Sequence, residues 1–257
     1  MTSCAVVPAA GRGSRLSLDV PKILAPVGEG VTVWSVLRAR LLSVVDRVHV
    51  VLSPHGLGAF DEVLGSDPDR GRITTSVQEV PLGMGDAVFG SMGSWVSAQT
   101  ILVVWGDQIH VSRATLCDAL SLHGGRPRRI VLPVVSVERP YVEYRFGPDD
   151  SIIAILESRE GDACAPGGLS DVGTFALSTE SLDAEWRAYE STARKGSRTG
   201  EINFLPFIRF LSVREWQVRR VPVLDPKEAR GINTPEDLST ARVALGMVGG
   251  SGGNNAG

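Results

Sequence analysis

A mostly parallel α/β sheet with helices on both faces is the fold this sequence predicts, and three features predict it. Short apolar runs alternate with segments of helical apolar spacing through the first half, a β-α-β-α order. The runs at residues 4–8, 47–52 and 100–105 are apolar without polar alternation, as strands buried on both faces are. The first run breaks off into a loop of small residues, glycines and cations: Ala9-Ala10-Gly11-Arg12-Gly13-Ser14-Arg15. A strand that ends in such a loop is the usual ligand edge of a Rossmann-like sheet.

Taken in order, residues 4–8 form the first strand. Residues 32–44 have helical spacing, with Thr32 at the cap position. Residues 47–52 form the second strand, closed by Ser53-Pro54, and 57–64 a short helix. A strand at 72–77 follows, then a helix opened by glycines at 85–97. Residues 100–105 are the most apolar strand. Ser112 caps a helix at 113–122, and 129–137 is another strand. The pattern changes after Pro140. Residues 142–146 and 152–156 read as a hairpin across Gly147-Pro148-Asp149-Asp150. A strand at 171–177 and helices at 181–194 and 201–211 come next, then a strand at 217–223. Thr234-Pro235-Glu236-Asp237 opens a last helix, with Thr at the cap, Pro at the first position and acids in the first turn. The organisation expected is one domain over residues 1–246, β-rich in its second half, and a flexible glycine- and asparagine-rich tail over 247–257.

Composition narrows the class. The chain has 257 residues, 43% of them hydrophobic, enough for a sizeable core. A net charge of −3 gives no reason to expect nucleic acid as a partner. Only Lys22, Lys195 and Lys227 are lysines among the 26 basic residues, so a lysine beside the glycine loop stands out. Three cysteines without metal-ligand spacing fit free thiols in a reducing compartment. No apolar stretch approaches the ~18 residues of a membrane span and no signal peptide is visible, so a cytoplasmic location is expected. Nothing in the sequence speaks against a homo-oligomer.

Five stretches could carry chemistry. In the first loop, small residues let a ligand lie against the main chain, and glycines turn amides toward an anion. Arg15 and Lys22 add charge. The loop is neither a P-loop nor a full dinucleotide fingerprint, and by itself it is equally a plain turn with surface cations. Gln78-Glu79-Val80-Pro81-Leu82-Gly83-Met84-Gly85 leads into a helix N-terminus, and a Gln can pair with a base edge. Asp107 follows the most apolar strand, where a carboxylate could hold Mg²⁺ beside phosphates or simply cap a turn. Asn233 precedes the last helix cap. Glu143, Glu157, Asp171 and Gly173 lie in the changed second half, each more ordinary alone than in combination.

In this order the stretches resemble the sugar-1-phosphate nucleotidyltransferases, and among them the uridylyltransferase domains of bacterial N-acetylglucosamine-1-phosphate uridyltransferases. The carriers are A-A-G-x-G-S-R-L followed by Pro21-Lys22, the Gln78 to Gly83 element, Leu102-Val103-Val104-Trp105-Gly106-Asp107, Ala154-Ile155-Leu156-Glu157, and Asn233. The resemblance implies a nucleotide-diphospho-sugar transferase type of fold and the condensation of an NTP with a sugar 1-phosphate to an NDP-sugar and pyrophosphate. It implies Arg15 and Lys22 as catalytic cations, and Ala9, Ala10, Gly11, Gly13, Gln78, Gly83 and Asp107 around the nucleotide. It also implies Asp107 and Asn233 on Mg²⁺, and Glu157, Asp171 and Gly173 against the sugar. Glu143 departs from the family's Gly-rich turn and is expected to face the sugar and narrow its choice. Met84 replaces a usual Thr. Ile109 stands where a D-x-D glycosyltransferase would have its second Asp. Two alternatives stay open: a cytidylyl- or guanylyltransferase acting on a non-sugar phosphate, and a nucleotide-binding regulator without turnover.

Overall fold

The computed structural model describes residues 2–11, 16 and 20–246. Arg15, Gly13 and the tail expected over 247–257 lie outside the described residues. Within them, β1 is Ser3–Ala9, and a small hairpin of β2 (Pro26–Gly28) and β3 (Val31–Thr32) leads into α1 (Val33–Leu42). Then come β4 (Arg47–Leu52), α2 (Pro54–Gly65), β5 (Ile73–Val77), α3 (Met84–Gly90), β6 (Thr100–Val104) and α4 (Arg113–His123). The second half holds β7 (Arg129–Ser136), β8 (Val142–Phe146), β9 (Ile152–Glu157), β10 (Leu169–Asp171), β11 (Thr174–Ser178), α5 (Leu182–Glu190), α6 (Phe204–Ser212), β12 (Gln217–Pro222) and α7 (Pro235–Ala244).

Ten strands make one sheet in the order β5-β4-β1-β6-β11-β7-β10-β8-β9, with β12 also on β7. β5, β4, β1 and β6 run parallel, β12 runs parallel to β7, and β11, β10 and the β8–β9 hairpin pair antiparallel. Alternation along β1 sends Ala5 and Val7 into one core with residues of α1, α2, α4 and α7. Cys4 and Val6 go into the other, with residues of α3, α5 and α6. The second core is aromatic. Phe89 stacks on Trp186 at 4.3 Å, and Phe204 sits edge-on to Trp105 at 5.3 Å, which seats the segment that follows β6.

Thr32 caps α1 in a reciprocal capping box with Ser35, and Thr234 does the same for α7 with Asp237. Two expectations are corrected, and one element was not foreseen. The strand expected at 171–177 is two strands, because Gly173 takes a left-handed conformation (φ +68°) between them. The helix expected over 85–97 stops at Gly90, and a 3₁₀ turn at Met92–Ser94 replaces its end. The short hairpin before α1 carries too little apolar periodicity to be read from sequence.

Two histidines are fully buried, His49 in β4 and His123 at the end of α4. His49 bridges Thr74 Oγ1 at 2.8 Å and Ser76 Oγ at 2.9 Å, and His123 lies between Thr100 Oγ1 and the Arg129 carbonyl, both at 3.2 Å. Burial pushes both down to about 4. In the unfolded chain each takes up its proton near ~6.5. The folded state therefore loses stability as pH falls from there toward 4, by up to ~2–3 kcal/mol per histidine. Urea midpoints should drop between pH 7.5 and 5, and the drop should be roughly halved in His49→Asn. A pH-independent midpoint would contradict this assignment.

Candidate active site

The parallel strands β1, β4, β5 and β6 end at Ala9, Leu52, Val77 and Val104 on one edge of the sheet. β1 lies between β4 and β6, so the chain's direction of travel across the sheet reverses there, and a crevice opens outside the strand ends. Two adjoining cavities occupy that edge and share Gly11. One, of about 350 Å³, lies along Ala9, Lys22, Trp105–Asp107 and Asn233. The other, of about 460 Å³, is bounded by Ala10, Pro21, Ser53, His55 and Gln78.

Lys22 begins a 3₁₀ turn (Lys22–Leu24) that buries the following Ile23 and Leu24 in the first core. That anchorage sends the side chain back across the strand ends. Its Nζ donates to Asp107 Oδ2 at 2.5 Å and Asn233 Oδ1 at 2.9 Å. Asp107 is held by main-chain bonds on both sides: Ile109 N and Ile232 N each donate to its carbonyl at 3.1 Å. Asn233 sits just outside the α7 cap, its own N–H given to Asp237 Oδ2 at 2.9 Å. Three residues separated by 85 and 211 positions thus converge on one point, an ammonium gripped by two oxygens. Among the described residues no group of three or more His, Cys, Asp or Glu could enclose a metal. A cation at Asp107 and Asn233 would need further oxygens from phosphates and water, as Mg²⁺ ordinarily does. The lysine ammonium occupying the pair shows that it accommodates a positive charge.

The second half supplies the remaining wall. Glu157 ends β9 and is buried, and its Oε2 accepts from Arg159 Nε at 3.0 Å. Burial raises its carboxyl above the ordinary range, against the opposing pull of Arg159. Arg159 also donates to Asn203 Oδ1 at 2.6 Å, tying the wall to the start of α6. Asp171 ends β10, and its Oδ1 accepts from Gly173 N at 2.7 Å. Burial raises its pKa too. Gly173 lines neither cavity; a Cβ there would come within 2.5 Å of Gln108 Cγ and 2.7 Å of Trp105 Cδ1, so it lets those side chains close over it.

Not every expected residue reaches the crevice. Gln78 does, but its Nε2 is spent on Gly83 O (3.0 Å) and Asp86 Oδ2 (2.7 Å), which leaves the carbonyl for a ligand. Gly83 is buried at the start of α3 and lines neither cavity. Glu143 is the clear correction. Val142 lines the crevice, and strand alternation turns Glu143 to the opposite face. There it is buried, with Oε1 taking a bond from Arg145 Nε at 2.8 Å and Oε2 one from Ala165 N at 2.6 Å. The Arg145 contact, then the Ala165 amide, holds its carboxyl below the usual range. The carboxylate lies away from bulk water and pins the 165–168 segment to β8. Sequence reading also passed over Arg159, Gln108 and Tyr141, which line the same cavity. Arg159 lies two residues after Glu157 and could have been flagged as a cation beside a candidate sugar ligand.

One crevice outside the strand ends thus brings together a loop from β1, a lysine and a strand-end carboxylate. The chain belongs to the MobA-like NTP transferase domain family, whose model matches residues 5–194. It is similar to the bifunctional protein GlmU of Pseudomonas fluorescens, 30% identical over 159 residues that cover 61% of this chain and 33% of that one. Against the bifunctional protein GlmU of Xanthomonas campestris pv. campestris it is 26% identical over 237 residues, 91% of this chain and 50% of the other. The chain thus spans half or less of these relatives' length. A Bacillus anthracis crystal structure, put forward as a glucose-1-phosphate thymidylyltransferase and holding sucrose, superposes with a TM-score of 0.74 at 18% identity. That match covers 95% of both chains and bears out the expected fold.

Proposed function

We propose that this chain condenses an NTP with a sugar 1-phosphate, giving an NDP-sugar and pyrophosphate. The observation that carries it is the convergence of Lys22, Asp107 and Asn233 beside the β1 loop. In the proposed reaction a phosphate oxygen of the acceptor attacks the α-phosphorus in line with departing pyrophosphate. Such transfers ask the protein mainly to position reactants and neutralise charge. Gly11, Gly13 and Arg15 receive the β- and γ-phosphates, and Lys22 meets the charge developing at the α-phosphate. Ala9, Ala10 and Gln78 frame the base. Glu157, Asp171 and Arg159 border the acceptor, and Gly173 holds Asp171 in place. Asp107 and Asn233 would hold Mg²⁺, which when bound supplies charge neutralisation on the nucleotide phosphates. Substrates of this kind are soluble metabolites, in keeping with a cytoplasmic location, and no helix among the described residues is long and apolar enough to cross a membrane.

The test is a matrix of five NTPs against sugar 1-phosphates, with Mg²⁺ and pyrophosphate release as readout. One combination should turn over well above the rest. No release from any combination would overturn the proposal.

A further inference from the structure

Resting on the transferase reading above, we propose that the phosphate acceptor carries an ammonium group, received by the Asp171 carboxylate. Three carboxylates line the crevice: Asp107, Glu157 and Asp171. Asp107 is paired with Lys22 and Glu157 with Arg159, whereas Asp171 has no cationic partner among the described residues. Its Oδ1 is taken by the Gly173 amide. Its Oδ2 accepts no hydrogen bond of good geometry from the described residues, and the residue lines the crevice. The neighbouring Tyr144 hydroxyl is near enough to steady the carboxylate but makes no hydrogen bond of good geometry.

A carboxylate with only 7% of its residue surface exposed is costly to keep charged. An amide side chain would accept the Gly173 bond equally well without that cost, so the charge asks for a ligand. A second observation points the same way. Gln108, also 7% exposed, lines the same crevice with its Oε1 lacking any partner. Asp171 and Gln108 thus each bring to one crevice an acceptor oxygen that no described residue satisfies with a hydrogen bond of good geometry. A hydroxyl offers one hydrogen and brings a lone pair of its own; an ammonium offers three hydrogens and a charge. Trp105 and Tyr141 add aromatic surface to the lining, which favours a cation over a neutral group. The class is therefore an ammonium-bearing phosphate monoester, either an amino sugar 1-phosphate with its amine free or an amino alcohol phosphate.

Pyrophosphate release with the preferred NTP separates these cases. Glucosamine 1-phosphate and phosphoethanolamine are the ammonium probes; N-acetylglucosamine 1-phosphate and glucose 1-phosphate are the neutral controls. One ammonium probe should exceed both controls by at least about tenfold in kcat/KM, and Asp171→Asn should bring that ratio within about threefold. Which probe wins distinguishes the sugar from the amino alcohol. Equal or better use of the neutral sugars would overturn the inference, as would an unchanged ratio in Asp171→Asn. If that variant does not fold, the wild-type ratio decides alone. Calorimetry of the same four compounds separates this inference from the reading beneath it. An ammonium probe bound selectively without turnover would sink the transferase reading and keep the ammonium site. Neutral sugar phosphates bound as well as the ammonium probes would do the reverse.

Discussion

Lys22→Ala is expected to lower kcat by at least about 10²-fold while the nucleotide Kd changes far less. The lysine is the one described cation that stands between the β1 loop and the strand-end carboxylate, and its side chain is about one-fifth exposed. In that half-dry crevice a charge aimed at a phosphate acts more strongly than in water. The ammonium is already in place because Ile23 and Leu24 are buried behind it, so little reorganisation is left for the reacting complex. Arginine should not rescue the variant, since a planar fork cannot take the place of a compact ammonium between two oxygens. A second readout separates this role from a structural one. Lys22 holds the two oxygens that would receive a metal, so Lys22→Ala should bind Mn²⁺ more tightly than wild type when no nucleotide is present. Near-normal kcat in the alanine variant would remove Lys22 from the chemistry.

Much of the crevice was legible because strand ends are legible. Apolar runs that stop at small or turn-forming residues located Ala9, Gln78 and Asp107 on one edge, since parallel strands share a direction. The motif order supplied Lys22 and Asn233, although no spacing rule brings residues 22, 107 and 233 to one point. What failed was orientation. Alternation along β8 says that Val142 and Glu143 face opposite ways, but not which of them meets the ligand. That choice is made by the 165–168 segment, which returns from β9 to cover the Glu143 face with the Ala165 amide. Arg159 was missed for a related reason. Its role depends on reaching Glu157 and Asn203 together, 44 residues apart from the latter, which local sequence does not reveal. The break at Gly173 was hidden because β-favouring Val172 and Thr174 flank it directly, and only the close packing of Gln108 and Trp105 exposes it.

Asp107→Ala is expected to abolish turnover while leaving the domain folded. The carboxylate is positioned by main chain: β6 is buried along its whole length, Trp105 N is bonded to Gly173 O at 3.0 Å, and Ile232 N closes on the Asp107 carbonyl. Those bonds survive the substitution. What is lost is one ion pair with Lys22, partly open to solvent, and such pairs contribute ~0–1 kcal/mol to stability. The circular dichroism spectrum and melting temperature should therefore stay close to wild type. The chemical loss is much larger. Without the carboxylate, Asn233 alone faces Lys22, and a neutral amide oxygen is a weak ligand for a hard divalent cation. Gly231→Ala tests the same placement from outside the ligand set. A Cβ at 231 would lie 2.9 Å from Asp107 Cγ and 3.0 Å from both carboxylate oxygens, so the carboxylate must move. That variant should lose activity without losing the negative charge, and extra Mg²⁺ should restore part of it. Activity that persists in excess EDTA would remove the metal from the reaction. A folded, fully active Asp107→Ala would remove the carboxylate from the site.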